Sequence, residues 1–217
     1  MDSNARAIVA FTGFSHAIVH TYELSIPILV VIWLSEFPVT TAMLGIVVTV
    51  GYGLFGIGAL PGGILADRFS SRTLILAGLG GMGMSFLALS FADGMLTIAI
   101  ALGGWGIAAS VYHPAALSLI STGVGNRGTG FAYHGMAGNT GIALGPLLTA
   151  SLLVIFEWQT VTRLLVVPAI GIIGYAMTTE FDEKAAVNTD DGRATDRSTS
   201  LFGFVSDSRT LFTVGFL

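Results

Sequence analysis

Of 217 residues, 10% are charged and 53% hydrophobic, with 29 glycines and a formal net charge of −4. Soluble proteins carry about 25% charged residues, so this chain has too little polar surface to coat a globule in water, and a soluble domain is excluded. It contains no cysteine, which removes disulfides, thiolate metal sites and cysteine nucleophiles.

The few charges mark out the elements. The first apolar segment runs from about residue 7 to 34 and holds a single acid, Glu23. Residues 37–66, 73–92, 94–126 and 128–156 contain no charged side chain, and neither do 164–179. A bilayer core takes about 20 mostly apolar residues per helix. The segments therefore predict six spans: 7–34, 42–65, 73–92, 96–122, 129–156 and 161–179. Transmembrane strands need only about 10 residues and alternate in polarity, so the fold class is all-α integral membrane. The first segment is too long for a cleaved signal peptide and no small-residue cleavage site follows it.

Residues 180–208 are rich in Asp, Thr, Ser and Arg without apolar periodicity, and read as a mobile cytoplasmic linker. A further apolar run starts near 209 and reads as the beginning of a seventh helix, so the expectation is the front of a longer chain. Residues 1–179 would form the N-terminal bundle. With the N-terminus cytoplasmic, Arg6, Arg68, Arg72, Arg127, Lys184, Arg193, Arg197 and Arg209 lie inside and only Arg163 outside, which is the positive-inside pattern.

Small residues let helices approach closely in lipid. In the fifth span Gly138, Gly141 and Gly145 share one face at i, i+3 and i+7. Tight bundling and bending points for a moving protein both account for such a stripe.

Polar groups inside a span are costly unless they line water or find partners. Glu23 follows His16 and His20 at i+7 and i+3, so the three fall on one face of the first helix. The fourth span contributes Tyr112 and His113 beside Pro114, which frees a carbonyl one turn back and can bend the helix. At 1.5 Å per residue His16 and His113 both lie roughly 13 Å from the cytoplasmic ends, so the two spans can meet near mid-membrane. A buried carboxylic acid favours its neutral form and imidazole titrates near neutrality, a pairing suited to proton exchange. A cluster that only ties helices together is the alternative. His134, on the glycine stripe, reads more simply as a packing residue.

Between the second and third spans stands Gly63-Ile64-Leu65-Ala66-Asp67-Arg68-Phe69-Ser70-Ser71-Arg72. Its acid can cap a helix N-terminus or pair with arginine, forming a latch that a rocking bundle makes and breaks.

This loop resembles the signature of the major facilitator superfamily, with Gly63, Leu65, Ala66, Asp67, Arg68 and Arg72 matching and Ser70 and Ser71 departing from it. Gly141, Gly145 and Pro146 are similar to the core of that superfamily's antiporter motif, without its trailing glycines. Ile100 stands where a fourth-span arginine is common. Ser15-His16, His113-Pro114 and Gly138-Asn139 before Gly145-Pro146 resemble the fosmidomycin-resistance branch of drug exporters. The resemblance covers nearly all of residues 7–179. It implies a twelve-helix antiporter in the plasma membrane, each half made of two three-helix repeats, exchanging protons for an amphiphilic drug or anionic metabolite.

The main expectation is thus a secondary transporter rather than an enzyme. Glu23 would carry the proton, and His16, His20, Tyr112, His113 and Asn139 would line the cavity. Gly63, Asp67, Arg68 and Arg72 would form the latch, and Gly141, Gly145 and Pro146 the packing and bending element. Its partners would be a small-molecule substrate, protons, the bilayer and the other half of the chain; no cofactor and no nucleic acid are expected. A symporter importing an organic anion is the nearest alternative. A membrane metal enzyme using His16, His20 and Glu23, or a receptor without flux, belongs to other classes.

Overall fold

The computed structural model describes residues 1–188. The expected seventh helix and the linker beyond residue 188 lie outside the described residues.

Helices account for nearly everything described, and no strand occurs among the described residues. They are α1 (Ser3–Glu36), α2 (Thr41–Arg68), α3 (Ser71–Leu89), α4 (Met95–Ser110), α5 (Tyr112–Gly123), α6 (Arg127–Leu153), α7 (Trp158–Leu164) and α8 (Val166–Thr178). Residues Met95–Gly123 act as one span of 29 residues and Trp158–Thr178 as one of 21, giving six helices long and apolar enough to cross a membrane. The spans begin where polar side chains can take orphan backbone N–H groups: Asp2, Thr40, Ser70 and Asn126 each accept from the third residue onward.

Two spans are interrupted, at Val111 and at Leu165. Each break falls three residues before a proline, Pro114 or Pro168, whose missing N–H leaves a carbonyl one turn back without its helical donor. Pro27, Pro61 and Pro146 lie within helices that continue through them.

Helix α1 packs along α6 and α2 along α4, while α3 contacts α4, α5 and α8. Exchanging spans one, two and three for four, five and six converts the first of these pairs into the second. The packing therefore repeats a three-helix unit twice.

Burial is uneven. The core holds Phe11, Tyr22, Trp33, Phe86, Trp105, Tyr112 and Trp158 at 2% exposure or less. By contrast α6 buries only Gly130, His134, Gly138, Gly141, Gly145 and Thr149, and α2 only Leu44, Gly51 and Gly62. These two helices touch the bundle along narrow stripes of small residues. A Cβ built on Gly141 would lie 2.8 Å from Ala17 Cα, and one on Gly145 2.8 Å from Thr21 Cα. Gly62 likewise faces the Ser110 carbonyl oxygen at 2.9 Å. Without side chains at these positions the backbones approach closely enough to gain dispersion contacts that lipid does not offer.

Candidate functional site

Three histidine rings converge where α1 meets α5. His16 Nε2 lies 3.0 Å from His20 Nε2 and 3.2 Å from His113 Nε2. His20 Nδ1 is 2.6 Å from Glu23 Oε2. The 3.6-residue period of α1 stacks His16, His20 and Glu23 on one face. The break at Val111 places His113 at the second position of α5, where its ring can reach across.

Other groups fix this row in place. His16 Nδ1 lies 2.9 Å from the carbonyl oxygen of His134 on α6. A carbonyl only accepts, so Nδ1 carries the proton and Nε2 presents a lone pair toward His20 and His113. The His134 ring stacks on His16 with centroids 4.0 Å apart and planes 9° apart. Tyr112 is fully buried, stacks on His16 and donates its hydroxyl to the Thr12 carbonyl at 2.6 Å. Tyr52 of α2 donates to the backbone carbonyl of Glu23 at 2.7 Å, and Phe55 packs against His113. His16 is buried, whereas His20, Glu23 and His113 are partly exposed, so the row runs from the core to the surface of the bundle.

Not every expected residue joins the row. Asn139 lies on the exposed face of α6. Gly138 underlies the cluster instead: a Cβ there would sit 2.5 Å from His16 Nδ1. Gly141 and Gly145 pack α6 on α1, and Pro146 lies in an uninterrupted helix. Conversely, His134, read from the sequence as a packing residue, and Tyr52, which the sequence did not single out, both contact the row. The signal for His134 was its place four residues before Gly138, on the one stripe of α6 that touches α1.

The loop after α2 shows a different division of labour from the one its acid and bases suggest. Asp67 and Arg68 are exposed and form no ion pair among the described residues. Glu183 joins the N-cap Ser70 in capping α3: Ser71 N donates to its carboxylate at 2.8 Å and Ser70 Oγ at 2.6 Å. A carboxylate suits the positive end of α3. Arg72 donates to the Ala176 carbonyl and lies over the Phe181 ring at 5.2 Å. Asn4 and Asp182 exchange backbone and side-chain hydrogen bonds, and Thr122 donates to the Glu183 carbonyl at 2.6 Å. Residues 180–188, expected as the start of a mobile linker, are thus tied across the ends of α1, α3 and α5. A polar hollow of about 470 Å³ lies here, lined by Asp67, Arg68, Ser70, Thr122 and Glu183 among others. Gly63 has no neighbour within 4 Å of a built Cβ, so packing within the bundle does not require it.

The described residues thus form a polytopic helical bundle of repeated three-helix units with a polar row inside it, the class of a multi-span helical membrane protein. The family model described as Major Facilitator Superfamily matches residues 9–217, and the chain belongs to that family. Two uncharacterised MFS-type transporters of Mycobacterium tuberculosis, from strains CDC 1551 / Oshkosh and ATCC 25618 / H37Rv, are each 32% identical over 114 residues, 52% of this chain and 26% of theirs. The chain therefore spans about a quarter of those relatives in the matched region. Among solved structures, a D-xylose-proton symporter superposes with a TM-score of 0.73 at 14% identity, covering 98% of this chain and 56% of that one. A peptide transporter gives 0.70 at 15% identity, over 96% and 47%. A bacterial homologue of the human lysosomal transporter Spinster, inward-facing and unoccupied, gives 0.69 at 14%, over 82% and 42%. These likenesses show the fold. Membership of a transporter family sets aside the membrane metal enzyme, and Glu23 in any case faces His20 Nδ1 rather than the point where the three rings meet.

Proposed function

We propose that this chain forms the N-terminal half of a proton-coupled exporter that works by alternating access. The observation that carries the reading is the continuous row Glu23–His20–His16–His134 carbonyl. With Glu23 protonated, its O–H donates to His20 Nδ1, His20 Nε2–H donates to His16 Nε2, and His16 Nδ1–H donates to the carbonyl. Every hydrogen bond in the row is then satisfied. With that proton gone, Glu23 accepts from His20 Nδ1–H, and the His20 and His16 lone pairs confront each other. The row thus distinguishes a loaded from an empty state by one proton, which is what coupling requires. Tyr112 holds the α1–α5 contact and would position His16, while Asn139 would face substrate or the second half.

In this reading residues 1–179 are one bundle, 180–208 the linker and 209–217 the start of the second bundle. The N-terminus is cytoplasmic in the plasma membrane, supported by the distribution of Lys and Arg. The resemblance to the fosmidomycin-resistance branch favours an amphiphilic drug or anionic metabolite as cargo. Asp67, Arg68 and Arg72 would make contacts that change as the halves rock, with Gly141, Gly145 and Pro146 keeping α6 against α1.

Glu23→Gln in the full-length protein, reconstituted in vesicles, should abolish flux driven by a pH gradient while leaving the protein folded and monodisperse. Undiminished proton-driven flux in that variant removes Glu23 as carrier. Repeating the assay with the gradient reversed separates export from import by symport.

A further inference from the structure

We propose that His16, His20 and His113 form a binding site for one divalent transition-metal ion. The three rings offer one donor nitrogen each, all within 4.8 Å of one another. Zinc held by imidazoles at 2.0–2.1 Å in a tetrahedron needs donor nitrogens roughly 3.3 Å apart. Two of the pairs already stand at 3.0 and 3.2 Å and the third lies within 4.8 Å, so a modest approach of His20 and His113 completes the set.

The tautomers favour this use. With Glu23 ionised, the His134 carbonyl accepts from His16 Nδ1–H and the Glu23 carboxylate accepts from His20 Nδ1–H. Both Nε2 lone pairs then point inward at each other. Lone pairs facing each other in this way repel, and a cation placed between them turns the repulsion into binding. Carbonyl and carboxylate partners on the outer ring nitrogen are the supports that orient metal-bound imidazoles and raise their basicity. Glu23 also supplies a negative charge beside the ion.

Imidazole donors select zinc, cobalt, nickel or copper over magnesium and calcium. Three protein ligands leave a fourth position, and the partial exposure of His20 and His113 opens it to water or to an anionic oxygen of a bound molecule. The inference does not rest on proton coupling, since it concerns binding alone.

The test is a cobalt(II) titration of the purified full-length protein after chelator treatment, read by visible absorption and by bound metal per chain. One ion per chain with the intense bands of tetrahedral cobalt, displaced by zinc, is expected. His113→Ala and His20→Ala should lose the bands, and Glu23→Gln should retain one ion per chain with affinity about 10–100-fold weaker. Gel filtration and helical circular dichroism check folding, and His113→Gln replaces the alanine variant if that one fails to fold. No cobalt bound to folded wild-type protein, a six-coordinate spectrum, or wild-type binding by the His113 variant would each overturn the site. None of these readouts needs flux, so failure here leaves the Glu23 transport test standing, and the reverse.

Discussion

His16 is the residue on which the site turns, because both of its nitrogens have partners and its ring stacks on His134 and Tyr112. Gly138 makes that possible by having no side chain beneath the ring. Gly138→Ala is expected to push the imidazole off the His134 carbonyl and to cost about 1–3 kcal/mol, as overpacking of a filled site does. Thermal unfolding in detergent measures the stability, and the loss of both metal binding and proton-driven flux reports the ring. Helical spacing alone already puts His16, His20 and Glu23 on one face. The approach of His134 was not visible in this way, because it depends on α1 and α6 crossing at glycines whose contacts only the folded bundle defines. Tyr52 was hidden for a similar reason: its partner is a backbone carbonyl, which no residue type announces.

Among the elements, the six spans could be read directly from the uncharged intervals, and their ends differ from the structure by only a few residues. The two interruptions follow from proline chemistry, and the one at Val111 has a functional result. It starts α5 beside the cluster, so His113 projects from a helix end instead of from a continuous helical face. The part that Glu183 plays in capping α3 was not legible. The loop offers Asp67 close by, yet the carboxylate comes from Glu183, more than a hundred residues along the chain in a stretch without apolar period. Glu183→Ala should destabilise the start of α3 by about 1 kcal/mol, the usual scale for losing a cap. Faster amide exchange at Ser71 and Thr73, with loosened protection over 180–188, is the expected record. Unchanged exchange there would show that Ser70 alone suffices.

Across the molecule, the two ends of the bundle are built differently. At one end residues 180–188 bind α1, α3 and α5 through Asn4, Thr122 and Glu183. At the other, Glu36 accepts from Trp158 Nε1 at 2.5 Å, and Arg163 donates to Ser90 at 3.1 Å while covering Phe91. The proposed topology places the first end inside the cell. Residues 1–217 contain no cysteine, so single cysteines introduced there into the full-length protein, with any cysteine further along replaced by serine, test this. A membrane-impermeant maleimide should label Asp93→Cys in intact cells, and Lys184→Cys only after permeabilisation. The opposite pattern would invert the orientation.

The glycine seam between α1 and α6 has a mechanical consequence. Helices keyed together at Ala17 and Thr21, with no side chains in the gap, resist sliding, so His16 and the His134 carbonyl travel as one piece. His113 stands across a different seam, on the short helix that follows the break at Val111. Motion within the bundle is therefore easier where α5 parts from α1 than where α6 does. An ion gripped by His16, His20 and His113 acts as a rivet through that joint, and its departure leaves the joint free to open.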